Sequence, residues 1–161
     1  MGKSLLPGPY FSTVVMAGPA IMDAGSPEQK RQFMTGIARG QLIVTLALTE
    51  PGGRWDAAGV RTMASARDDD FVINGTKLFV PNAHVSDYII VAARTGKGDE
   101  DISLFLVPRE TDGVSQTMLK TIASDRQSEV ALDNVTVPSS ALIGELNKGW
   151  ETIRKVLQWG A

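Results

Sequence analysis

Apolar residues recur with two different periods along this chain of 161 residues. Between about residues 42 and 138 apolar positions alternate with polar ones, which is the pattern of strands with one buried face. We predict strands over residues 42–49, 60–67, 71–75, 77–80, 88–93, 102–107, 114–120 and 128–137. Many short strands separated by turn residues predict a mainly β domain, built as an antiparallel β-barrel or orthogonal β-sandwich.

The two ends of the chain follow a helical period instead. Residues 11–24 have a helical pattern that Pro19 is expected to kink or break. A second helix is predicted to begin at Ser26, which has capping-box spacing with Gln29, and to end near Gly40. A last helix is predicted from about residue 145, with an apolar face that comprises Trp150, Ile153, Val156 and Leu157. The pattern thus divides the chain into residues 1–41, 42–138 and 139–161.

Two segments carry the strongest local turn signals. Asn74-Gly75, between apolar groups at 71–73 and 78–80, is typical of a type I′ β-hairpin with a two-residue turn. Pro51-Gly52-Gly53 follows the apolar strand at 42–49 and can reverse the chain through dihedral angles that other residues avoid. This second turn keeps a hydroxyl at position 49, a carboxylate at position 50 and several backbone N–H groups together, so the strand end is a candidate binding rim.

Composition narrows the class of protein. The net charge of −2 argues against a nucleic-acid partner, because such domains usually carry a clustered basic face. The absence of cysteine from the sequence excludes disulfides, cysteine-ligated metal sites and thiol catalysis, and no other metal-ligand spacing is present. No apolar run approaches the roughly 18 residues of a membrane-spanning helix, and the N-terminus does not resemble a secretory signal. A cytoplasmic protein is therefore expected.

Four blocks of sequence resemble the acyl-CoA dehydrogenase family of flavoproteins, in the order and at the spacing of that family. They are Gly25-Ser26-Pro27-Glu28-Gln29-Lys30, Leu48-Thr49-Glu50-Pro51-Gly52, Asn74-Gly75-Thr76-Lys77, and Asp133-Asn134-Val135-Thr136-Val137-Pro138 followed by Gly144 and Lys148-Gly149-Trp150. The resemblance covers nearly the whole chain. It implies that residues 1–41 end an N-terminal helical domain, 42–138 form the middle β domain, and 139–161 hold a linker and the first helix of a C-terminal helical domain.

The resemblance also implies that the cofactor is FAD, held with one face of its flavin ring against the middle domain. Backbone groups around Leu46, Leu48 and Thr49 would meet the pyrimidine side, where N–H donors stabilise the negative charge of reduced flavin. Phe79 would pack against the ring. The cofactor-binding residues expected on this basis are Leu46, Ala47, Leu48, Thr49, Phe79, Val80 and Pro81.

The chain departs from the family pattern at two places. Pro81 stands where relatives carry a hydroxyl residue, and it offers neither a side-chain donor nor a backbone N–H to a flavin. Arg54 and Trp55 replace a small glycine and a serine or threonine before Asp56. We predict that Arg54 and Trp55 bind substrate, with Arg54 on a phosphate of CoA or FAD and Trp55 shaping the acyl pocket. An equally weighted alternative is that Arg54 pairs with Asp56 or a neighbouring carboxylate at the surface.

The function implied by the resemblance is the oxidation of an acyl-CoA thioester to a trans-2-enoyl-CoA, as in fatty acid β-oxidation. The implied partners are the acyl-CoA substrate, an electron-accepting flavoprotein, and further subunits of a homo- or hetero-tetramer. In the family the catalytic base comes from the C-terminal helical domain, so no catalytic residue is expected in this chain, which is expected to be inactive alone and to bind FAD weakly. Glu50 is expected to satisfy backbone groups of its own turn or a nearby basic residue.

Two alternatives from the same scaffold remain open. One is a subunit that lacks the base and works in a heteromeric acyl-CoA dehydrogenase, which the unusual Trp55 and Pro81 would fit. The other is a flavin monooxygenase, which activates oxygen on reduced flavin and needs no base at the substrate Cα. A non-enzymatic binding domain is less favoured, because it would not need the segments that resemble a flavin site.

Overall fold

The computed structural model describes residues 8–160 and has three helices that flank the strands. Helix α1 consists of π-helical turns at Phe11–Ala17 that continue as α-helical turns at Gly18–Ala24. Helix α2 begins with α-helical Pro27–Gln29, continues through π-helical Lys30–Met34 and ends with α-helical Thr35–Ala38. Helix α3 covers Gly149–Gly160. Among the residues described, no helix combines the length and apolar character needed to cross a bilayer.

The helix ends follow the local signals in the sequence, whereas Pro19 does not break α1. The Ser26 hydroxyl accepts a hydrogen bond from the Gln29 N–H at 3.2 Å, and the Gln29 side chain accepts one from the Ser26 N–H at 2.9 Å, so the predicted capping box is formed. Gly40 has φ of +66° just past the end of α2, in agreement with the predicted stop. Helical turns continue through Pro19, so the predicted break is wrong; the change from π- to α-helical bonding occurs beside it.

Eight strands form one sheet. They are β1 (Val44–Ala47), β2 (Met63–Arg67), β3 (Asp70–Pro81), β4 (Tyr88–Arg94), β5 (Ile102–Pro108), β6 (Val114–Met118), β7 (Gln127–Pro138) and β8 (Leu142–Ile143). Their order is β6-β7-β3-β2-β4-β5-β8, with β1 pairing to β4. The mainly β architecture with flanking helices is confirmed. The sheet is nevertheless open and mixed rather than purely antiparallel, because β1 and β2 both pair in parallel with β4.

The predicted hairpin at Asn74-Gly75 is wrong, because β3 runs through these residues as one continuous strand. Its pairing with β7 shifts register between Ile73 and Gly75, so the two residues form a β-bulge. The tight turn lies instead at Asp68-Asp69, between β2 and β3, where Asp68 has φ of +52°. Strands predicted separately at 71–75 and 77–80 are therefore one strand. Asn-Gly accommodates a bulge as readily as a turn, since both need unusual backbone angles.

Two hydrophobic cores lie on opposite faces of the central strands. Ile90 and Leu104 belong to the helix-side core with Trp150 of α3, whereas Ile89 and Phe105 belong to the core beneath β3 and β7. Because both faces of β4 and β5 are covered, these strands have nearly continuous apolar sequences. The side chains of strand β1 are likewise divided between the two cores. Its end consequently sits between the two cores, next to β3.

Candidate functional site

The edge of β1 that faces away from β4 is identified by the hydrogen bonds at its start. The Ile43 N–H donates to Asp87 Oδ2 at 2.8 Å, and the Ile43 carbonyl accepts from the Asp87 N–H at 2.8 Å, so Ile43 faces β4. The next residue points the other way, since the Val44 N–H donates to the Thr13 hydroxyl oxygen at 3.3 Å. Successive peptide groups of a strand point to opposite edges. Within β1 the N–H and carbonyl of Leu46 therefore lie on the edge opposite β4.

Burial limits which atoms of this strand can meet a ligand. The side chains of Leu46 and Ala47 are buried in the helix-side core and the core beneath β3 respectively, and Leu48 is half-buried against the helix-side core. Only backbone atoms of Leu46 and Ala47 are consequently available for binding. Thr49 is half-buried, and its carbonyl accepts a hydrogen bond from the Leu78 N–H at 2.8 Å. That bond joins the end of β1 directly to β3.

Beneath the strand end lies a buried ion pair between Glu50 and Lys77, with side chains 5% and 0% exposed. Lys77 Nζ lies 2.6 Å from Glu50 Oε1 and 3.4 Å from the Leu48 carbonyl oxygen. The Glu50 carboxylate also accepts hydrogen bonds from the backbone N–H groups of Arg61 at 2.8 Å and Thr62 at 3.0 Å. The expectation that Glu50 satisfies backbone groups or a basic residue is thus met, although the backbone groups belong to the segment before β2 rather than to its own turn.

The protonation of this pair follows from its burial. Burial alone would raise the pKa of Glu50, but the Lys77 charge, the hydrogen bond from Lys77 and the Thr62 N–H outweigh it and lower the pKa below the usual 4.5. Burial lowers the pKa of Lys77 to about 8, with the Glu50 carboxylate opposing part of the fall. At neutral pH the pair is ionised. A carboxylate held as an anion by a salt bridge is a poor general base.

The end of β3 carries an exposed aromatic residue on a bulge. Phe79 has φ of +54° and its side chain is 53% exposed, at a register shift between Lys77 and Val80. Positive φ on a bulky residue costs of order 1–3 kcal/mol and is found mostly where the surrounding structure or a function demands it. Val80 is buried in the core beneath β3, so its side chain does not face a ligand.

Pro81 is tied to β1 rather than left free. Its carbonyl accepts a 2.6 Å hydrogen bond from the buried Thr45 hydroxyl. An open cavity of about 510 Å³ lies beside Pro81 and is lined further by His84 and Arg126; Phe79 is not one of its lining residues. The pKa of His84 is lowered by burial and by the charges of Arg126 and Arg109.

These groups can be compared with the needs of a flavin. An isoalloxazine ring needs N–H donors at its pyrimidine edge and an apolar or aromatic surface along its face. The outward edge of β1 supplies the peptide groups of Leu46, and Phe79, which follows Leu78 in β3, supplies a solvent-exposed ring. The Leu78–Thr49 hydrogen bond holds these two parts of the site together. The residues present therefore fit the cofactor that the sequence resemblance implies.

Arg54 and Trp55 lie on the turn that follows this strand end. Arg54 forms two hydrogen bonds with the Asp56 carboxylate, at 3.0 and 2.6 Å, and both side chains are more than half exposed. These bonds raise the pKa of Arg54 and lower that of Asp56. Asp56 also accepts from the Gly59 N–H at 2.9 Å. Trp55 is 69% exposed, so its indole is available for contact. The geometry matches the alternative in which Arg54 pairs with Asp56, and a role in binding substrate stays a prediction.

Comparison with known proteins decides the family. A family model described as the acyl-CoA dehydrogenase middle domain matches residues 45–135, which is more than half of the chain. The chain belongs to the acyl-CoA dehydrogenase family. It is 35% identical over 153 residues to acyl-CoA dehydrogenase FadE26 of Mycobacterium tuberculosis, and the alignment covers 91% of this chain. It spans only 38% of the length of FadE26.

Parts of larger solved structures have the same fold as this chain. The ChsE4-ChsE5 complex from Mycobacterium tuberculosis matches with a TM-score of 0.90 and 34% identity, over 98% of this chain and 42% of that chain. A glutaryl-CoA dehydrogenase from Mycobacterium smegmatis in complex with FADH2 matches with a TM-score of 0.82 and 32% identity, over 91% of this chain and 38% of that chain. The expected family and middle-domain fold are confirmed.

Within this acyl-CoA dehydrogenase domain, sequence reasoning missed Lys77 and Thr45. In the sequence Lys77 appears only as the end of the block Asn74-Gly75-Thr76-Lys77, with no role predicted for its side chain. In the continuous β3 strand it is buried against Glu50. No local pattern marks it, because the buried residues Val72 and Val80 stand at odd spacings from Lys77, which strict alternation would place on the opposite face. The Thr45 hydroxyl bond depends on the approach of β1 to β3 and has no local signal.

Proposed function

We propose that this chain forms the flavin- and substrate-cleft portion of an FAD-dependent acyl-CoA dehydrogenase that oxidises an acyl-CoA thioester to its trans-2-enoyl-CoA. The observation that carries the proposal is the junction of β1 and β3. The Leu78 N–H donates to the Thr49 carbonyl at 2.8 Å, so the segment that follows β1 is bonded to β3 one residue before the exposed Phe79, which supports the proposal. Family membership supplies the reaction class for a site of this shape.

In this proposal backbone groups of Leu46, Ala47, Leu48 and Thr49 lie against the pyrimidine side of the flavin, and Phe79 packs along its face. The backbone of Val80 and Pro81 continues that wall, because the Val80 side chain is buried. When bound, FAD supplies a two-electron acceptor for the hydride that leaves Cβ of the thioester. The residues of this chain orient the ring and exclude water from one of its faces. The glutaryl-CoA dehydrogenase whose solved structure holds FADH2 supports the choice of cofactor.

Arg54 and Trp55 are proposed to contact the substrate from the turn beside the strand end. Trp55 is exposed and large enough to cover the acyl chain or the flavin margin. Arg54 would exchange one or both of its hydrogen bonds with Asp56 for a phosphate of CoA or FAD, since a guanidinium binds either anion with two N–H groups. Asp56 would keep its hydrogen bond from the Gly59 N–H after such an exchange.

The catalytic base is proposed to come from outside this chain, and the chain alone is proposed to have no dehydrogenase turnover. Glu50, the carboxylate nearest the strand end, is engaged by Lys77 and two backbone N–H groups, which leaves it unsuited to remove a proton from Cα. We further propose an electron-accepting flavoprotein as redox partner and a tetrameric assembly. A base-lacking subunit of a heteromeric enzyme is the second candidate, supported by similarity to the ChsE4-ChsE5 complex.

The test uses the complete product of the gene that encodes residues 1–161. The purified protein is expected to show a flavin absorption spectrum, and anaerobic addition of acyl-CoA is expected to bleach it. Butyryl-, octanoyl- and palmitoyl-CoA cover the range of chain lengths. A protein that takes up no FAD, either alone or with its co-purifying subunit, would contradict the proposal. Bleaching that requires a second subunit would favour the heteromeric candidate.

Pairs of matched variants test the roles that are proposed for individual residues. Phe79→Leu is expected to weaken FAD binding about tenfold, because stacking of an aromatic residue contributes on the order of 1 kcal/mol. The control is Trp159→Leu, which replaces another exposed aromatic residue, on α3, and should leave FAD affinity unchanged.

The proposed phosphate contact of Arg54 is tested by the variant Arg54→Ala. Its control is Arg39→Ala, which removes an exposed arginine at the end of α2. If Arg54→Ala alters neither FAD nor acyl-CoA affinity, Arg54 serves only its pair with Asp56.

A further inference from the structure

We propose that the buried Glu50–Lys77 ion pair is a positioning device that sets the end of β1 against the Phe79 bulge, and so holds the peptide edge and the aromatic ring in register for the flavin. This inference rests on the proposed function, because it assigns the pair a role toward the same cofactor. Neither residue is proposed to touch the flavin or the substrate.

Three segments converge on the pair. Glu50 follows β1 by three residues, Arg61 and Thr62 lead into β2, and Lys77 lies in β3. The carboxylate accepts two backbone hydrogen bonds from the β2 side, at 2.8 and 3.0 Å, while its salt bridge of 2.6 Å reaches β3. Glu50 therefore links all three segments through one planar group with four possible acceptor sites.

The ammonium group of Lys77 adds a second link. Lys77 Nζ lies 3.4 Å from the Leu48 carbonyl oxygen, which belongs to the strand end proposed to meet the flavin. Lys77 is also two residues before Phe79, and the register shift that makes the bulge begins at Lys77. Anchoring Lys77 thus fixes both where the bulge starts and where the last peptide groups of the β1 segment lie.

Stability alone does not account for this arrangement. An apolar pair of similar volume would fill the space without the cost of removing two charges from water, and replacing a buried ion pair in that way is often neutral or stabilising. What an ion pair adds is a fixed direction and distance, since a salt bridge with its hydrogen bonds tolerates little displacement in a medium of low dielectric constant. The strained φ of Phe79 needs such fixed surroundings to persist.

The first experiment measures position on the chain itself, without flavin. The double variant Glu50→Gln/Lys77→Met keeps the volume and removes both charges, and Val135→Ala, a buried residue paired with Ile73 at the other end of β3, is the matched control. Amide hydrogen exchange of Leu78, whose N–H bonds to Thr49, is expected to be about tenfold faster in the double variant, the factor that corresponds to one hydrogen bond. Val135→Ala should not accelerate Leu78 beyond its effect on global unfolding.

The second experiment measures FAD binding by the complete gene product. The double variant is expected to bind FAD roughly tenfold more weakly and to shift the visible absorption maximum of bound flavin, as outer partners of a binding group commonly change affinity by about 10- to 100-fold. Val135→Ala should change neither readout. The single variant Lys77→Arg keeps a cation at the site, so a folded Lys77→Arg protein should recover part of the affinity that the double variant loses.

The outcomes separate the two proposals. If the unmodified gene product binds no FAD, the proposed function fails, while the exchange measurement on Leu78 still reports whether the pair positions the two segments. If FAD binds to the double variant with unchanged affinity and spectrum, the positioning role is overturned although the proposed function stands. Unchanged exchange at Leu78 overturns it as well.

Discussion

Gly75 shows at the scale of one residue why β3 continues where the sequence suggested a turn. Its φ is +154°, and a Cβ atom placed on it would lie 2.5 Å from the Thr62 hydroxyl oxygen and 2.7 Å from Thr62 Cα. Glycine is therefore required by a close approach of β3 to the segment that enters β2. The same local freedom that favours a hairpin is used here to let two segments of backbone pass close together.

Gly75→Ala is expected to destabilise the domain by about 1–3 kcal/mol, because the added methyl group must displace backbone at Thr62. Gly52→Ala is the matched control, since no heavy atom lies within 4 Å of the corresponding Cβ position. Because alanine reduces the backbone freedom of the unfolded chain, Gly52→Ala should leave the stability of the domain unchanged or raise it slightly. Urea unfolding of both variants measures the difference. Equal stabilities would mean that the contact with Thr62 relaxes at no cost.

Glu50 provides the prediction on pH. Its pKa is lowered in the folded chain from 4.5, so the unfolded chain binds the proton at a higher pH than the folded chain does. The stabilisation is complete above about pH 4.5 and is lost as the pH falls through the folded pKa. Below pH 5, Glu50→Gln should therefore lose stability with falling pH less steeply than the unmodified chain.

The control for this titration is the variant Gln41→Ala, which replaces an exposed, uncharged residue just after α2. Its stability should fall with pH as steeply as that of the unmodified chain. At pH 6 Glu50→Gln is expected to be less stable by about 3–5 kcal/mol, because Lys77 then remains buried without its partner. Urea unfolding from pH 3 to pH 6 gives both quantities. A slope for Glu50→Gln equal to that of the unmodified chain would contradict the lowered pKa.

At the scale of elements, α3 illustrates how much an amphipathic pattern predicts. Trp150, Ile153 and Val156 are buried in the helix-side core and Leu157 packs against it, as the spacing of these residues indicated. In helix α1 the apolar residues are buried less consistently than in α3. It buries small residues such as Ala17 and Ala20, while Val14 and Met22 of the same helix are exposed.

Two tryptophans of α3 provide a matched test. Trp150 is 7% exposed and Trp159 is 55% exposed on the same helix. Trp150→Ala is expected to cost about 3–5 kcal/mol through the cavity it leaves in the helix-side core. Trp159→Ala should stay within roughly 0.5 kcal/mol of the unmodified chain. Thermal or urea unfolding followed by far-ultraviolet circular dichroism measures both. Equal losses would mean that α3 is not held through its buried face.

At the scale of the whole molecule, the chain combines a well-buried sheet with helices that expose large apolar side chains. Tyr10, Phe11, Val14 and Met22 of α1 and the turn before it are each more than 40% exposed. Apolar surface of this kind commonly marks contact with another part of a protein or with a partner, and weak self-association of the isolated chain is expected from it. The chain also spans only 38% of the length of FadE26.

The sequence by itself determined the features that depend on neighbouring residues. The change of period from 3.6 to 2 located helices and strands, Ser26 with Gln29 specified a helix start, and the apolar face of α3 identified its buried side. These features follow from backbone preferences and side-chain periodicity, which act over a few residues. The resemblance to the family named the segments at Thr49 and Phe79 as candidate flavin contacts, and this stays a prediction.

Only the tertiary structure decided how distant segments meet. It made β3 a single bulged strand, paired β1 in parallel with β4, buried Lys77 against Glu50 and left Phe79 exposed beside Thr49. An Asn-Gly pair serves equally in a turn or a bulge, and a lysine in a strand faces water or the core according to what lies opposite. The choice depends on contacts between residues far apart in the chain, which no local pattern encodes.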